Sequence, residues 1–186
     1  MTRRFVLLDR DGTINHEVDH LDQPDQVTLI PGAAAALRDL RSAGLGLVVL
    51  TNQANVGRGL LPPDRLEEIH ARLAALLSDE GVRLDGLYAC AHAPEDGCDC
   101  RKPRAGLALR AATDPGFRPA DAFVVGDHAA DMGLGRAIGA VTILVRTGHG
   151  EEELATGVGD QADHVVADLE EAAGVILDIV LSGARR

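Results

Sequence analysis

Two short stretches hold residue types at spacings that suit chemistry. In "LLDRDGTIN" (7–15), Asp9 and Asp11 stand two residues apart where an apolar run stops; Gly12 permits a sharp turn, and Thr13 and Asn15 can tie it. Taken alone, the pair is as consistent with an ordinary turn as with a site. Asp127, in "VVGDHAAD" (124–131), ends a second apolar run. Together with Asp9 it can hold a hard cation such as Mg²⁺, which takes one or two carboxylates plus waters and substrate phosphate. The second stretch, "CAHAPEDGCDC" (90–100), offers Cys90, His92, Cys98 and Cys100 as four ligands within one loop that runs straight into Arg101-Lys102-Pro103. Soft and borderline ligands of this kind suit tetrahedral Zn²⁺, and four protein ligands make such a site structural and closed. A disulfide or a redox pair is the competing reading. Confinement of all the cysteines to one loop around a histidine favours metal.

The elements that must position these residues are legible as alternating segments. Apolar runs at 4–9, 45–51, 84–90, 122–127 and 140–145 read as buried parallel strands. Helical spacing predicts helices at about 33–43, 63–80, 104–113 and 129–138, and a final strand–helix pair at about 164–180 follows the acidic "GHGEEELATG". Such alternation implies right-handed crossovers and a doubly wound α/β parallel sheet, in which ligands sit at the carboxyl ends of the strands. Asp9, Asp11, Thr51, Asn52, Cys90, His92 and Asp127 all fall at such ends. The long polar segment 15–32 is expected to cover the mouth of the site.

Composition narrows the classes of function. The 186 residues suit one domain, 1–186, with a sizeable core. Three Phe, one Tyr and no Trp leave no stacking platform for single-stranded nucleic acid, and a formal charge of −11 disfavours any partner held by a basic face. A small phosphorylated substrate gripped by a few local cations fits better. No run approaches the roughly 18 apolar residues of a membrane span, and the N-terminus has no signal-like apolar region, so a cytoplasmic protein without membrane or nucleic-acid partners is expected, a monomer by default.

The motifs "DRDGT" (9–13), "TN" (51–52), "RKP" (101–103) and "GDHAAD" (126–131), in this order, resemble those of the haloacid dehalogenase-type phosphatases across nearly the whole chain. The resemblance implies a Rossmann-like fold with a minimal cap and an aspartyl-phosphate mechanism. Asp9 would be the nucleophile and Asp11 the general acid and base, carrying a proton part of the time. Mg²⁺ would be held by Asp9, the Asp11 carbonyl and Asp127, acting with Lys102 and Thr51 on the phosphoryl oxygens. Asp131, one helical turn beyond Asp127, would support the metal waters or Lys102.

A zinc-bearing loop ending in "CDCRKP" narrows the likeness to the branch that contains the heptose-1,7-bisphosphate 7-phosphatases and the histidinol-phosphate phosphatase domains. "TNQANVGRG" (51–59) and "LVRTGHG" (144–150) lean toward the heptose side. That implies Mg²⁺-dependent removal of the 7-phosphate from a heptose bisphosphate, with histidinol phosphate as the alternative substrate. A non-catalytic, zinc-stabilised scaffold is the alternative from another class, and the intact motifs count against it. Arg101 and Lys102 would contact phosphate or sugar. Asn52, Gln53, Ala54, His128 and the segment Glu17, Val18, Asp19, His20 would border the leaving group. Ala54-Asn55, His128 and "EVDH" (17–20) depart from the branch's usual residues, Ser-Gly, Lys and a Gly-Tyr, which places any difference in substrate at these positions. His16, His70, His149 and His164 are expected to be surface or packing residues.

Overall fold

A computed structural model describes residues 3–114 and 116–183. Its centre is a six-stranded sheet with every adjacent pair parallel: β1 (Phe5–Leu8), β2 (Gly46–Asn52), β3 (Gly86–Cys90), β4 (Phe123–Gly126), β5 (Val141–Val145) and β6 (His164–Val166), in the order β3-β2-β1-β4-β5-β6. The strand order reverses direction at β1, between β2 and β4, which is where such sheets leave a crevice for ligand. The apolar runs are strands because both of their faces are covered. Val6 and Leu8 of β1 join one buried cluster, Phe5 and Leu7 the other.

Against the first face pack α1 (Ala33–Ser42), α3 (Pro63–Asp79) and α7 (Leu169–Leu181), through residues such as Leu37, Leu40, Ile69, Leu73 and Ile176. Against the second lie α4 (Gly106–Thr113) and α5 (Ala129–Ile138), through Leu107, Ala111 and Leu134. Helix starts follow local chemistry. The Asp168 carboxylate accepts from the Glu170 and Glu171 N–H groups at the start of α7, and His128 accepts from Ala130 at the start of α5.

Two short helices have no counterpart in the sequence pattern: α2 (Ala54–Gly57) and α6 (Gly150–Ala155). Neither is long enough to show a period. Segment 15–32 is less of a free polar loop than its composition suggests. Leu21, Val27 and Ile30 are buried in the first core cluster, and the His16 N–H donates to the Thr28 carbonyl, so its two limbs are tied together. Among the described residues no helix is long and apolar enough to cross a membrane.

Candidate active site

The site is built where β1, β2 and β4 end. The Asp9 N–H donates to the Val125 carbonyl at 2.9 Å, carrying the β1–β4 ladder one residue past β1 and fixing the Asp9 side chain at the switch point. Its Oδ2 lies 2.9 Å from Lys102 Nζ, which is also 2.7 Å from Asp131 Oδ1. Lys102 and Asp131 are both about 1% exposed in their side chains, so this is an ion pair in the interior. Burial alone would drive the ammonium to shed its proton; Asp131 and Asp9 outweigh it and hold its pKa above the ordinary lysine value. Asp131 thus supports Lys102 directly.

Carboxylate oxygens of Asp9, Asp127 and Asp131 lie within 4.8 Å of one another. Asp127 is pushed up to about 7, first by burial and then by the charge of Asp9. Such crowding of acids is what a divalent cation relieves, and oxygen donors at this separation fit Mg²⁺. Asp127 is seated by two glycines from different loops. Gly12 (φ +72°) and Gly148 (φ +56°) are in the left-handed region, and a Cβ on either would fall 2.1 Å from Asp127 Oδ2. The His149 N–H donates to that same oxygen at 2.8 Å, and the Thr147 hydroxyl ties the two loops by donating to the Gly12 carbonyl at 2.5 Å.

Asp11 is held differently from Asp9. Arg10, whose side chain is 1% exposed, donates from Nε (3.0 Å to Oδ1) and Nη2 (2.6 Å to Oδ2). Asn15 Nδ2 adds a bond to Oδ1 at 2.9 Å, and Gln53 Nε2 adds one to Oδ2 at 3.0 Å. Burial alone would raise the Asp11 pKa, but the charge and hydrogen bonds of Arg10 lead the groups that bring it below the usual carboxylate value. Arg10, Asn15 and Gln53 all donate to Asp11 and so favour its ionised form in this arrangement, against the nearby charge of Glu17. Sequence reading missed Arg10; an arginine wedged between two aspartates looks like a solvated charge until the fold buries it.

The Cys/His loop stands beside Lys102. Cys90, His92, Cys98 and Cys100 place their ligand atoms within 4.8 Å of one another: Cys100 Sγ is 3.1 Å from Cys90 Sγ and 3.5 Å from Cys98 Sγ, and His92 Nδ1 is 3.3 Å from Cys100 Sγ. All three cysteines are free, which removes the disulfide reading. Burial and the neighbouring thiols push Cys100 up to about 12, while at Cys98 burial is outweighed by hydrogen bonds from Cys100 and Cys90, which bring it below its ordinary value. Four ligands so gathered could hold one metal ion. The loop is fastened to the site at several points. The Gln53 N–H donates to the Cys90 carbonyl, Asn52 exchanges two hydrogen bonds with the Lys102 backbone (3.0 and 3.1 Å), and the Arg104 guanidinium donates to the Gly97 and Cys98 carbonyls.

A cavity of about 540 Å³ opens onto these groups. Of the residues singled out from sequence, Asp9, Asp11, Glu17, Asn52, Arg101, Lys102, Asp127 and His128 line it. Thr51 is buried behind the wall, its hydroxyl oxygen accepting from Gln53 at 2.8 Å. Gln53 therefore faces Asp11 and Thr51, and Ala54 opens α2. Val18, Asp19 and His20 are not part of the wall; Val18 packs on the core, and Asp19 and His20 are exposed. His149, expected to be a surface or packing residue, is exposed and also lines the cavity beside His128. Its signal lies in the backbone, which the sequence does not display. The Glu153 carboxylate stands 3.1 Å from His128 Nε2.

A parallel sheet with nucleophile-type carboxylates at its switch point, a buried lysine and a cation-ready acid cluster defines a phosphoryl-transfer site. Comparison with known proteins is more particular. A family model described as HAD-hydrolase-like matches residues 99–172. The D-glycero-beta-D-manno-heptose-1,7-bisphosphate 7-phosphatase of Pseudomonas putida is 38% identical over 156 residues, 83% of this chain and 89% of that protein. The protein of the same name from Escherichia coli is 35% identical, over 90% of this chain and 92% of its own. The crystal structure of D,D-heptose 1,7-bisphosphate phosphatase from B. bronchiseptica, complexed with magnesium and phosphate, superposes with a TM-score of 0.87 at 33% identity, covering 94% of this chain and 98% of that one. The chain belongs to the haloacid dehalogenase-like phosphatases, in the branch of the heptose bisphosphatases, and is a phosphatase.

Proposed function

We propose that the protein hydrolyses the 7-phosphate of D-glycero-D-manno-heptose 1,7-bisphosphate. The observation that carries this reading is the Asp9–Lys102–Asp131 triad facing Asp127 across one cavity, joined to relatives of that name along most of the chain. Bound Mg²⁺, held by Asp9, the Asp11 carbonyl and Asp127, supplies charge neutralisation at the phosphoryl group. Asp9 attacks phosphorus and becomes an aspartyl-phosphate; Lys102 orients Asp9 and then meets an equatorial oxygen. Asp11 gives a proton to the leaving sugar oxygen and afterwards takes one from the attacking water. Thr51 completes the contacts to phosphate, and Arg101 with His128 faces the remainder of the substrate. The Cys/His cluster holds Zn²⁺, fixing the backbone that delivers Arg101 and Lys102.

Histidinol phosphate would use the same triad. The relatives' names and the "TNQ" and "VRTG" stretches favour the heptose substrate. The test is Mg²⁺-dependent phosphate release from heptose 1,7-bisphosphate, histidinol phosphate and an aryl phosphate, with Asp9→Asn as control. Turnover is expected to be highest with the heptose and abolished in the folded variant. Preference for histidinol phosphate would overturn the substrate, and full activity of Asp9→Asn would overturn the mechanism.

A further inference from the structure

Among the described residues Arg10 heads the fully buried side chains by size, and its ion-pair partner is Asp11. A buried guanidinium is costly unless well paired, and a cation that serves only stability is often replaceable by an apolar side chain. Here the fork is aimed at one carboxylate, and that carboxylate opens on the cavity wall. The remaining donors differ in kind. Asn15 and Gln53 are neutral; Asn15 is fully buried, while Gln53 is half-buried and shares its amide between Asp11 and Thr51. A carboxylate has about four lone-pair directions. Arg10 Nε reaches both oxygens (3.0 and 3.1 Å) and its Nη2 adds a bond to Oδ2, with Asn15 on Oδ1 and Gln53 on Oδ2, so the guanidinium supplies most of the donors that fill these directions. Of these donors Arg10 is the one that carries a charge and is fully buried, so it is the one that fixes where the carboxylate points.

We propose that Arg10 is the positioning residue of the leaving-group step: its guanidinium, bonded to both oxygens of Asp11, holds that carboxylate in the orientation in which it meets the leaving oxygen at the cavity wall. This rests on the reading of Asp11 as the proton donor. In the step, Asp11 carries a proton taken from solvent; the C–O–P bridge oxygen receives it as the O–P bond breaks and the Asp9–P bond forms, and Asp11 is left as the anion that Arg10 stabilises. Loss of Arg10 therefore penalises leaving groups that need the proton and spares those that do not.

The experiment compares first-turnover release of the leaving group by rapid quench from two substrates, a sugar bisphosphate that the wild type hydrolyses and p-nitrophenyl phosphate, whose phenolate leaves unprotonated. Arg10→Met is expected to slow the sugar phosphate roughly 100-fold and the aryl phosphate less than about 3-fold, with little change in KM. Arg10→Lys, which keeps a cation beside Asp11 but loses the fork, should slow the sugar phosphate about 10-fold, again selectively. Equal losses on both substrates, or wild-type rates in folded Arg10→Lys, would overturn the proposal. Should Arg10→Met fail to fold, the Arg10→Lys comparison decides. A wild type that releases phosphate from the aryl substrate and from no heptose bisphosphate refutes the substrate reading alone; the comparison then runs on whichever alkyl phosphate is turned over.

Discussion

Replacing Lys102 with Met puts the electrostatic argument for the site at risk. The ammonium lies 2.7 Å from Asp131 and 2.9 Å from Asp9, inside the protein, and both carboxylates lose their partner when it goes. Breaking a buried pair from one side costs about 3–5 kcal/mol because the orphaned charge stays behind. Asp131 can escape part of that cost by taking up a proton, a change to which burial and Asp9 already dispose it. The lower end of the range, about 3 kcal/mol near neutral pH, is therefore expected, a fall in Tm of roughly 6–12 °C for a domain of this size. The cost should be mutual: in Lys102→Met/Asp131→Asn one of the two orphaned carboxylates is gone, and the double variant should recover about half of the loss, a coupling above 1 kcal/mol. Mg²⁺ should narrow the gap further by meeting Asp9. Calorimetric melting of the four proteins of the cycle, with and without Mg²⁺, supplies every number, and aryl-phosphate turnover should drop about 100- to 1000-fold in Lys102→Met. A Lys102→Met protein within about 0.5 kcal/mol of wild type, or additive losses in the cycle, would show that the pair is not the strained interior contact described here.

Cys98→Ser should cost one equivalent of bound zinc and roughly tenfold in turnover at a temperature where the variant is folded, since the loop that fixes Lys102 loosens; metal analysis beside kinetics checks it. Gly148→Ala forces a Cβ toward Asp127 at a positive φ, so Mg²⁺ affinity measured by titration calorimetry should fall about tenfold or more, with a stability loss of about 1–2 kcal/mol. His70, 8% exposed on α3, has its pKa brought down to about 4, chiefly by burial and then by Arg10. The unfolded chain binds that proton near pH 6.5 and the native state only near 4, so this stabilisation is whole above 6.5 and is lost as pH falls toward 4. Between pH 7 and 5 the wild type should lose about 2 kcal/mol more than His70→Gln in urea unfolding at saturating Mg²⁺; parallel pH curves would refute the burial argument.

The parts of this molecule that could be read from its sequence are those in which one residue's type decides its place. Apolar runs became strands because both sheet faces are covered, and polar residues at their ends had to converge once the sheet was parallel. The Cys/His ligands were legible because four of them share one loop, and Asp131 because one helical turn from Asp127 keeps it on the site's side of α5. What stayed hidden depends on partners distant in sequence. Arg10 is buried by the fold and aimed at its neighbour, and His149 serves through a backbone N–H to a carboxylate 22 residues away. Gln53 turns from the cavity toward Asp11, 42 residues before it. All three are contacts to carboxylates of the cavity. A motif records which side chains react; the donors that fix how each carboxylate is protonated and aimed are set by packing. In this site the two aspartates of one motif therefore differ most by what surrounds them: Asp9 meets a lysine shared with Asp131, Asp11 a guanidinium of its own. That difference is consistent with the opposite tasks proposed for them, attack for the one and proton transfer for the other.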